Sequence, residues 1–541
     1  MAFPRLAGMI LHPSSLPGGQ GIGDLGAAAY AFVDFLEKAG IGVWQVLPLG
    51  PTGGSNSPYQ SLSSFAGNPL LVSPERLMEE RLLGPDACDG APGNADQVDF
   101  AAVAAFKDRL LDTALENFDA GRSSVQFAGD FDLFVEAEKA WLDDYALFAA
   151  ARNFFNGMAW YEWEDIDLRL HRPGALREYG KLLARDVRRE KFRQHLFFRQ
   201  WRELRKYAGE RRVKFLGDVP IYCAHDSADV WAAPEFFQLD GDGRAAFMAG
   251  VPPDYFSVSG QLWGNPLYDW RALEADGFAW WLKRIRAALS LVDMLRIDHF
   301  RGFEAYWAVP KGETTAINGK WIRGPGQKFF DALKRGLGED LPILAEDLGV
   351  ITPGVNRLRL DNGLPGMKVL HFAFGEGAEA YLPHSYERNC VCYVATHDND
   401  TTRGWYDAEG GDYAHLSREV IDLERDRARR YLGRDGSSMP WDLMRLALGS
   451  VADTAVLLMQ DVLNLPNSAR MNRPGLGAGQ WRWRLTDEQL AEASWTGLRD
   501  LVDLYGRQPV KPDRGAVEDV EAAAEFGEGG TKADGSEIAV P

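Results

Sequence analysis

Eight short apolar runs rich in β-branched residues recur along the chain, at residues 6–11, 42–47, 213–221, 294–300, 342–348, 367–374, 390–397 and 456–463. Helical patterns or long polar loops separate them, which is the signature of parallel βα units. The first connection shows the logic. Asp24 is placed to cap a helix in which Leu25, Ala29, Phe32 and Leu36 recur at helical spacing, Gly40 is placed to end it, and the second run follows at once. Eight such strands suit an α/β chain closed as a (β/α)8 TIM barrel better than an open sheet. Chemistry is then expected at the C-terminal strand ends.

Two stretches interrupt the rhythm. Residues 61–212 are mainly helical and too long for a loop, so they are expected to form an inserted subdomain. Residues 224–276, rich in Gly, Pro and aromatics, are expected to form a lid or loop insertion. The catalytic barrel with both insertions is assigned to residues 1–507. Residues 508–541 are acidic, hold Phe526 as their one aromatic, and are expected to be disordered.

Charge and cysteine usage narrow the partners. A formal net charge of −19 repels polyanions, so neither nucleic acid nor a membrane surface is expected, and a neutral substrate is. No apolar stretch is long enough to span a bilayer, and the N-terminus lacks a secretory h-region. Cys88, Cys223, Cys390 and Cys392 include no CxxC pair and cannot build a disulfide framework, which points to a cytoplasmic protein.

Two motifs are set aside. Gly21, Gly23 and Gly26 match GxGxxG, but HPSSLPGGQ separates them from the first strand and the second strand ends without an acid. The motif therefore reads as a turn entering a helix, and no cofactor is expected. The basic stretch 188–212 is interleaved with aromatics, yet Phe197, Trp201 and Leu204 lie at helical spacing. They form a core stripe, with the bases on a solvated face.

The carboxylates at strand ends carry the chemistry. The fourth run ends in Arg296-Ile-Asp298-His299, the fifth in Glu346-Asp347, and the seventh in His397-Asp398-Asn399-Asp400. Singly, Asp298 could be an ion pair with Arg296, and Glu346 or Asp398 a helix cap. Three carboxylates converging on one rim are costly unless used. Retaining glycosyl transfer needs a carboxylate nucleophile and a protonated partner about 5–5.5 Å away. Arg296 favours an ionised Asp298, the better nucleophile, whereas Glu346 has Asp347 beside it and no cation, making it the better acid. Asp398 suits hydrogen bonding to ring hydroxyls, with His397 as a neighbouring donor. Residues 52–60 bring Ser57 and Tyr59, and residues 250–265 bring Asp254, Gln261 and Trp263. Such aromatics and neutral hydrogen-bonding groups can grip an uncharged ring, although Tyr59 and Trp263 could instead pack their loops. The same acids could hold Mg²⁺ in a barrel lyase or isomerase, but Arg296 would repel the ion, so no metal is expected.

The segments HPSSLPG with GIGDLG, WQVLPLGPTG with SPYQS, GDVPIY with HDSADVW, GVPPDYFS with GQLWGNPLY, LRIDHFRGFEAYW, AEDLG, THDNDT, and ARMNRPG with WRW together resemble a known family. It is the 4-α-glucanotransferases, called amylomaltase or disproportionating enzyme, a branch of the α-amylase clan, and the likeness reaches to about Arg484. The resemblance implies Asp298 as nucleophile, Glu346 as acid/base and Asp398 as transition-state stabiliser. It places Arg296, His397, Tyr59 and Trp263 around the reacting sugar, and Asp254 and Gln261 in a loop covering it. The implied partners are maltooligosaccharides, amylose or glycogen-type glucans and glucose, a segment of one being passed to the 4-hydroxyl of another. Transfer rather than hydrolysis rests on the resemblance. A barrel that binds glucan without turning it over is the non-enzymatic alternative.

Overall fold

The computed structural model describes residues 3–93, 96–253, 258–407, 417–476 and 479–510. Its strands are β1 (Leu6–Ile10), β2 (Val43–Gln45), β3 (Lys214–Pro220), β4 (Phe247–Val251), β5 (Gln261–Pro266), β6 (Met294–Asp298), β7 (Ala305–Pro310), β8 (Lys320–Arg323), β9 (Ile343–Ala345), β10 (Gly366–Val369), β11 (Cys390–Tyr393) and β12 (Thr454–Leu458). Eight of them pair in parallel in the order β10-β11-β12-β1-β2-β3-β6-β9. Each strand neighbours the next barrel strand in sequence, even where a long insertion separates the two, as between β2 and β3. The (β/α)8 expectation is met.

The seam between the two ends of this order is closed by few groups. Ala345 N–H donates to the Pro365 carbonyl at 3.0 Å. Asp347 then does the work of a missing rung: its Oδ1 accepts from Met367 N–H at 2.7 Å and its Oδ2 pairs with Arg359 Nε at 3.1 Å. A Cβ on Gly366 would lie 2.4 Å from Asp347 Oδ2, so only glycine leaves room for the carboxylate there.

Local details differ from the sequence expectations in two ways. The sixth run leaves strand geometry at Leu370–Phe372 and the eighth becomes helical at Met459–Val462, because a fully buried apolar run carries no periodicity to separate strand from helix. Asp24 does not cap the first helix, Ala27–Ala39, whose N-cap is Gly26. Instead its Oδ1 accepts from Gly26 N–H at 3.0 Å and its Oδ2 pairs with buried Lys107 at 2.9 Å. The acid ties the glycine-rich turn to the helix Phe100–Asp119. Gly40 ends the first helix in the left-handed region, as expected.

Between β2 and β3 the helices Phe100–Asp119, Val125–Ala137, Lys139–Phe154 and Ala184–Glu210 pack together. In the last, Phe192, Phe197, Trp201 and Leu204 are buried, and Trp201 meets Phe215 of β3 with ring centroids 4.9 Å apart. Several bases on this helix are not simply solvated. Arg193 pairs with Asp108 at 2.9 Å and Asp112 at 3.0 Å, and Arg199 pairs with Glu80 and Asp130, both at 2.8 Å. A second sheet, antiparallel with order β5-β4-β7-β8, joins the stretch before β6 to the stretch after it. The expected disordered tail falls, from residue 511 on, outside the described residues. Among the described residues no helix is long and apolar enough to cross a membrane.

Removing Asp347 leaves Arg359 without its carboxylate and Met367 N–H without its acceptor. Asp347→Ala is expected to cost about 3 kcal/mol in unfolding free energy, and Asp347→Asn less, because the amide oxygen keeps the Met367 bond. Denaturant unfolding of the two variants checks this order.

Candidate active site

β3 and β6 are register neighbours with Asp218 opposite Arg296, so both side chains project into the barrel at one level. Arg296 Nη1 donates to Asp218 Oδ1 at 2.8 Å and Oδ2 at 2.7 Å, while Nη2 donates to Asp298 Oδ1 at 2.7 Å. One buried guanidinium thus serves two carboxylates. Tyr59 hydroxyl donates to Asp218 Oδ2 at 2.8 Å. The Asp218 carboxyl is raised to about 7, chiefly by burial and also by the Asp298 charge, which outweigh the pull of its two donors, Arg296 and Tyr59. Tyr393 of β11 donates to Gln45 Oε1 of β2 at 2.8 Å, adding a polar bridge inside the barrel.

β6 ends at Asp298, and His299 turns the chain in the left-handed region with φ 57°. That conformation costs about 1–3 kcal/mol in a residue with a Cβ. It lets His299 N–H donate to Glu346 Oε2 at 2.7 Å, while Leu348 N–H donates to Oε1 at 2.9 Å. The two acids are therefore coupled through one backbone unit. The Glu346 carboxyl is raised from 4.5 to about 7, chiefly by desolvation and then by the negative charge of Asp298. Arg296 and the two backbone donors oppose this and are outweighed. Asp347, which the sequence offered as the cause, instead faces the barrel seam and Arg359.

Asp398 lies beyond the end of β11, on a loop held by a second loop. Asn472 Nδ2 donates to Asp398 Oδ1 at 2.7 Å, Arg470 donates to the Asp398 carbonyl and pairs with Asp400, and Asn467 Nδ2 donates to Asp400 at 2.7 Å. His397 Nε2 lies 3.4 Å from Asp398 Oδ2. The His397 ring stacks on Tyr59 at 5.1 Å and 16°, and Trp481 meets both rings at 5.8 Å. Desolvation lowers His397, so the ring is neutral at neutral pH.

Asp298, Glu346, Asp398, Arg296, Tyr59 and His397 are thus brought together. Trp263 joins through His299, edge to face at 4.8 Å, and its Nε1 donates to Gln261 Oε1 at 3.1 Å. Ser57 Oγ turns onto its own loop, accepting from Tyr59 N–H at 3.3 Å, so it reaches the site through Tyr59. Asp254 lies outside the described residues. Asp218, Trp481, Arg470 and Asn472 were not singled out from the sequence. An acid inside the apolar run Phe215-Leu-Gly-Asp218-Val219 was the available signal for the first, and the ARMNRPG and WRW segments for the others. Among the described residues no group of three or more His, Cys, Asp and Glu is arranged to hold a metal ion.

The arrangement offers a carboxylate paired to a guanidinium, a second carboxyl beside it raised to about 7, and a third acid beside stacked aromatic rings. The family model for glycoside hydrolase family 77, described as 4-alpha-glucanotransferase, matches residues 11–490. A 4-alpha-glucanotransferase of Synechocystis sp. is 48% identical over 515 residues, 94% of this chain and 99% of that one. One of Thermus thermophilus is 46% identical over 519 residues, covering 94% and 100%. The amylomaltase of Streptococcus agalactiae, solved in complex with acarbose, superposes with a TM-score of 0.88 at 36% identity, covering 93% of this chain and 100% of that one. The likeness therefore takes in the insertions as well as the barrel.

The folded Glu346 carboxyl holds its proton up to about 7, whereas a free one releases it near 4.5. The folded state then binds more protons in that window, so its stability is full below about 4.5 and declines as pH rises through about 7. Glu346→Gln removes this dependence. Its melting temperature is expected to gain on that of the unaltered protein between pH 5 and pH 8; an advantage of equal size at both would contradict the raised carboxyl.

Proposed function

The chain belongs to the 4-alpha-glucanotransferase family, and from that premise we propose that Asp298 is the nucleophile, Glu346 the acid and base, and Asp398 the group that steadies the charged sugar. The enzyme is a glycosyltransferase acting on α-1,4-glucans. What supports the residue roles is the different setting of two neighbouring acids. Asp298 takes a charge-assisted hydrogen bond from Arg296, and Glu346 is raised to about 7 by desolvation and by the Asp298 charge.

In the first half-reaction an Asp298 oxygen bonds to the anomeric carbon. The glycosidic bond breaks, and its electron pair takes the Glu346 proton to become the departing 4-hydroxyl. Esterification removes the Asp298 charge, and with it the Coulombic influence that raised Glu346. The carboxyl, now deprotonated, is the more stable as a base. It accepts the proton of an incoming 4-hydroxyl, whose oxygen bonds to the anomeric carbon and releases Asp298. Asp398, fixed by Asn472 and Arg470, can hydrogen-bond ring hydroxyls more strongly as the sugar flattens.

Maltooligosaccharides, amylose or glycogen-type glucans are the proposed donors, with these or glucose as acceptors. Tyr59 and Trp263 offer apolar faces, and Gln261 and His397 neutral polar edges, which suit an uncharged sugar. A reducing, cytoplasmic setting is also proposed, supported by the four free thiols of Cys88, Cys223, Cys390 and Cys392.

Incubation with maltotriose is expected to give glucose together with chains longer than the substrate; glucose and maltose alone would mean hydrolysis. Glu346→Gln is expected to lower kcat by about 10²–10⁴-fold while the fold survives. In the unaltered enzyme kcat/KM is expected to fall as pH rises through about 7, because the acid must carry its proton. A near-normal rate in the variant would reject the assignment of Glu346.

A further inference from the structure

We propose that a small cavity behind His397 is a water site that fixes the tautomer of the His397 ring, which makes His12 a positioning residue for Asp398. His12 follows β1 and His397 follows β11, two barrel strands away. Both rings line one small cavity of about 20 Å³, together with Ser15, Gln460, Met471, Trp483 and four aliphatic side chains. Both are 6% exposed, and the Nδ1 atom of each is buried without a hydrogen-bond partner in the protein. Two orphaned nitrogens on one cavity are costly, whereas one molecule that donates twice satisfies both.

The lining can support a water. A buried water needs two to four polar partners, and a purely apolar cavity stays dry. His12 Nδ1 and His397 Nδ1 supply two acceptors. Gln460 supplies a donor, since its amide nitrogen carries two hydrogens and uses one on the Ala469 carbonyl at 3.2 Å. Ser15 hydroxyl is already committed to the Trp483 carbonyl at 2.9 Å.

The consequence follows from imidazole chemistry. Burial keeps both rings neutral, so each carries one N–H. A water donating to His397 Nδ1 makes that atom the acceptor and puts the ring proton on Nε2, which lies 3.4 Å from Asp398 Oδ2. His397 then carries its proton on the Nε2 side, near Asp398 and available to a sugar hydroxyl, in a ring plane already set by the stack on Tyr59. His12 acts through the water and touches neither acid. The inference rests on the proposed role of Asp398 for its effect on rate, but the tautomer itself does not.

Three substitutions separate position from bulk. An asparagine amide overlays the Nδ1 end of a histidine ring and a glutamine amide overlays the Nε2 end. With maltotriose as donor and acceptor, His12→Leu and His12→Gln are expected to lower kcat about 10-fold with KM within about 2-fold, and His12→Asn to recover most of it. A leucine variant with the unaltered kcat, or an asparagine variant no better than glutamine, overturns the proposal. Should the variants fold poorly, the unaltered protein decides it. Neutron diffraction or imidazole ¹⁵N NMR is expected to find the His397 proton on Nε2, with a water between the two Nδ1 atoms. A dry cavity, or the proton on Nδ1, overturns it. If Asp398→Asn turns over normally while the tautomer is as stated, the role of Asp398 has failed and the water site has not.

Discussion

The buried guanidinium of Arg296 is the constraint around which the barrel interior is arranged. A cation inside a parallel barrel is tolerable only where carboxylates meet it, and Arg296 has two, Asp218 on the neighbouring strand and Asp298 two residues along its own. Nη1 is shared between the two Asp218 oxygens, Nε meets Met367 Sδ at 3.3 Å, and with both held Nη2 points at Asp298. Tyr59 donates to the same Asp218 and stacks on His397, so the guanidinium also fixes, at one remove, the aromatic floor beside Asp398. Loss of that single cation would leave the buried Asp218 carboxylate and the partly exposed Asp298 carboxylate without their shared partner.

Much of this was legible in the sequence because it follows strand periodicity. Alternation places Arg296 and Asp298 on one face, and the apolar runs end in Glu346 and near Asp398, so the rim of acids is visible in the residue pattern itself. Asp218 was not, because its partner lies on another strand and pairing between strands depends on register, which a single sequence does not state. Its one local sign was a charge inside an apolar run. Asp347 was misread for a related reason. Adjacent in sequence to Glu346, it belongs on the opposite side of the strand, where it closes the seam with Arg359 and Met367.

The loops were legible only as composition. The loop carrying Asp398 is set by Asn472 and Arg470, and Trp481 completes the ring contacts, all from a segment more than 70 residues later. Trp481 adopts φ 67°, a conformation that a bulky side chain takes only where the surroundings compensate. No periodic signal encodes such contacts. The second sheet is a similar case: β5, with Gln261 and Trp263, is joined through β4 to β7 and β8, which follow β6 in sequence.

The proposed acid and the preference for transfer draw on the same physical cause. Glu346 accepts two backbone N–H bonds and lies near Arg296, all of which favour the carboxylate, so only desolvation together with Asp298 can keep its proton at neutral pH. Water admitted freely beside Glu346 would solvate the charged form and return the carboxyl towards 4.5. The same water would compete with a glucan hydroxyl for the sugar held on Asp298. A site dry enough to keep the acid protonated is therefore already biased towards a sugar acceptor, and the acid function and the transferase outcome stand or fall on one property of the cleft.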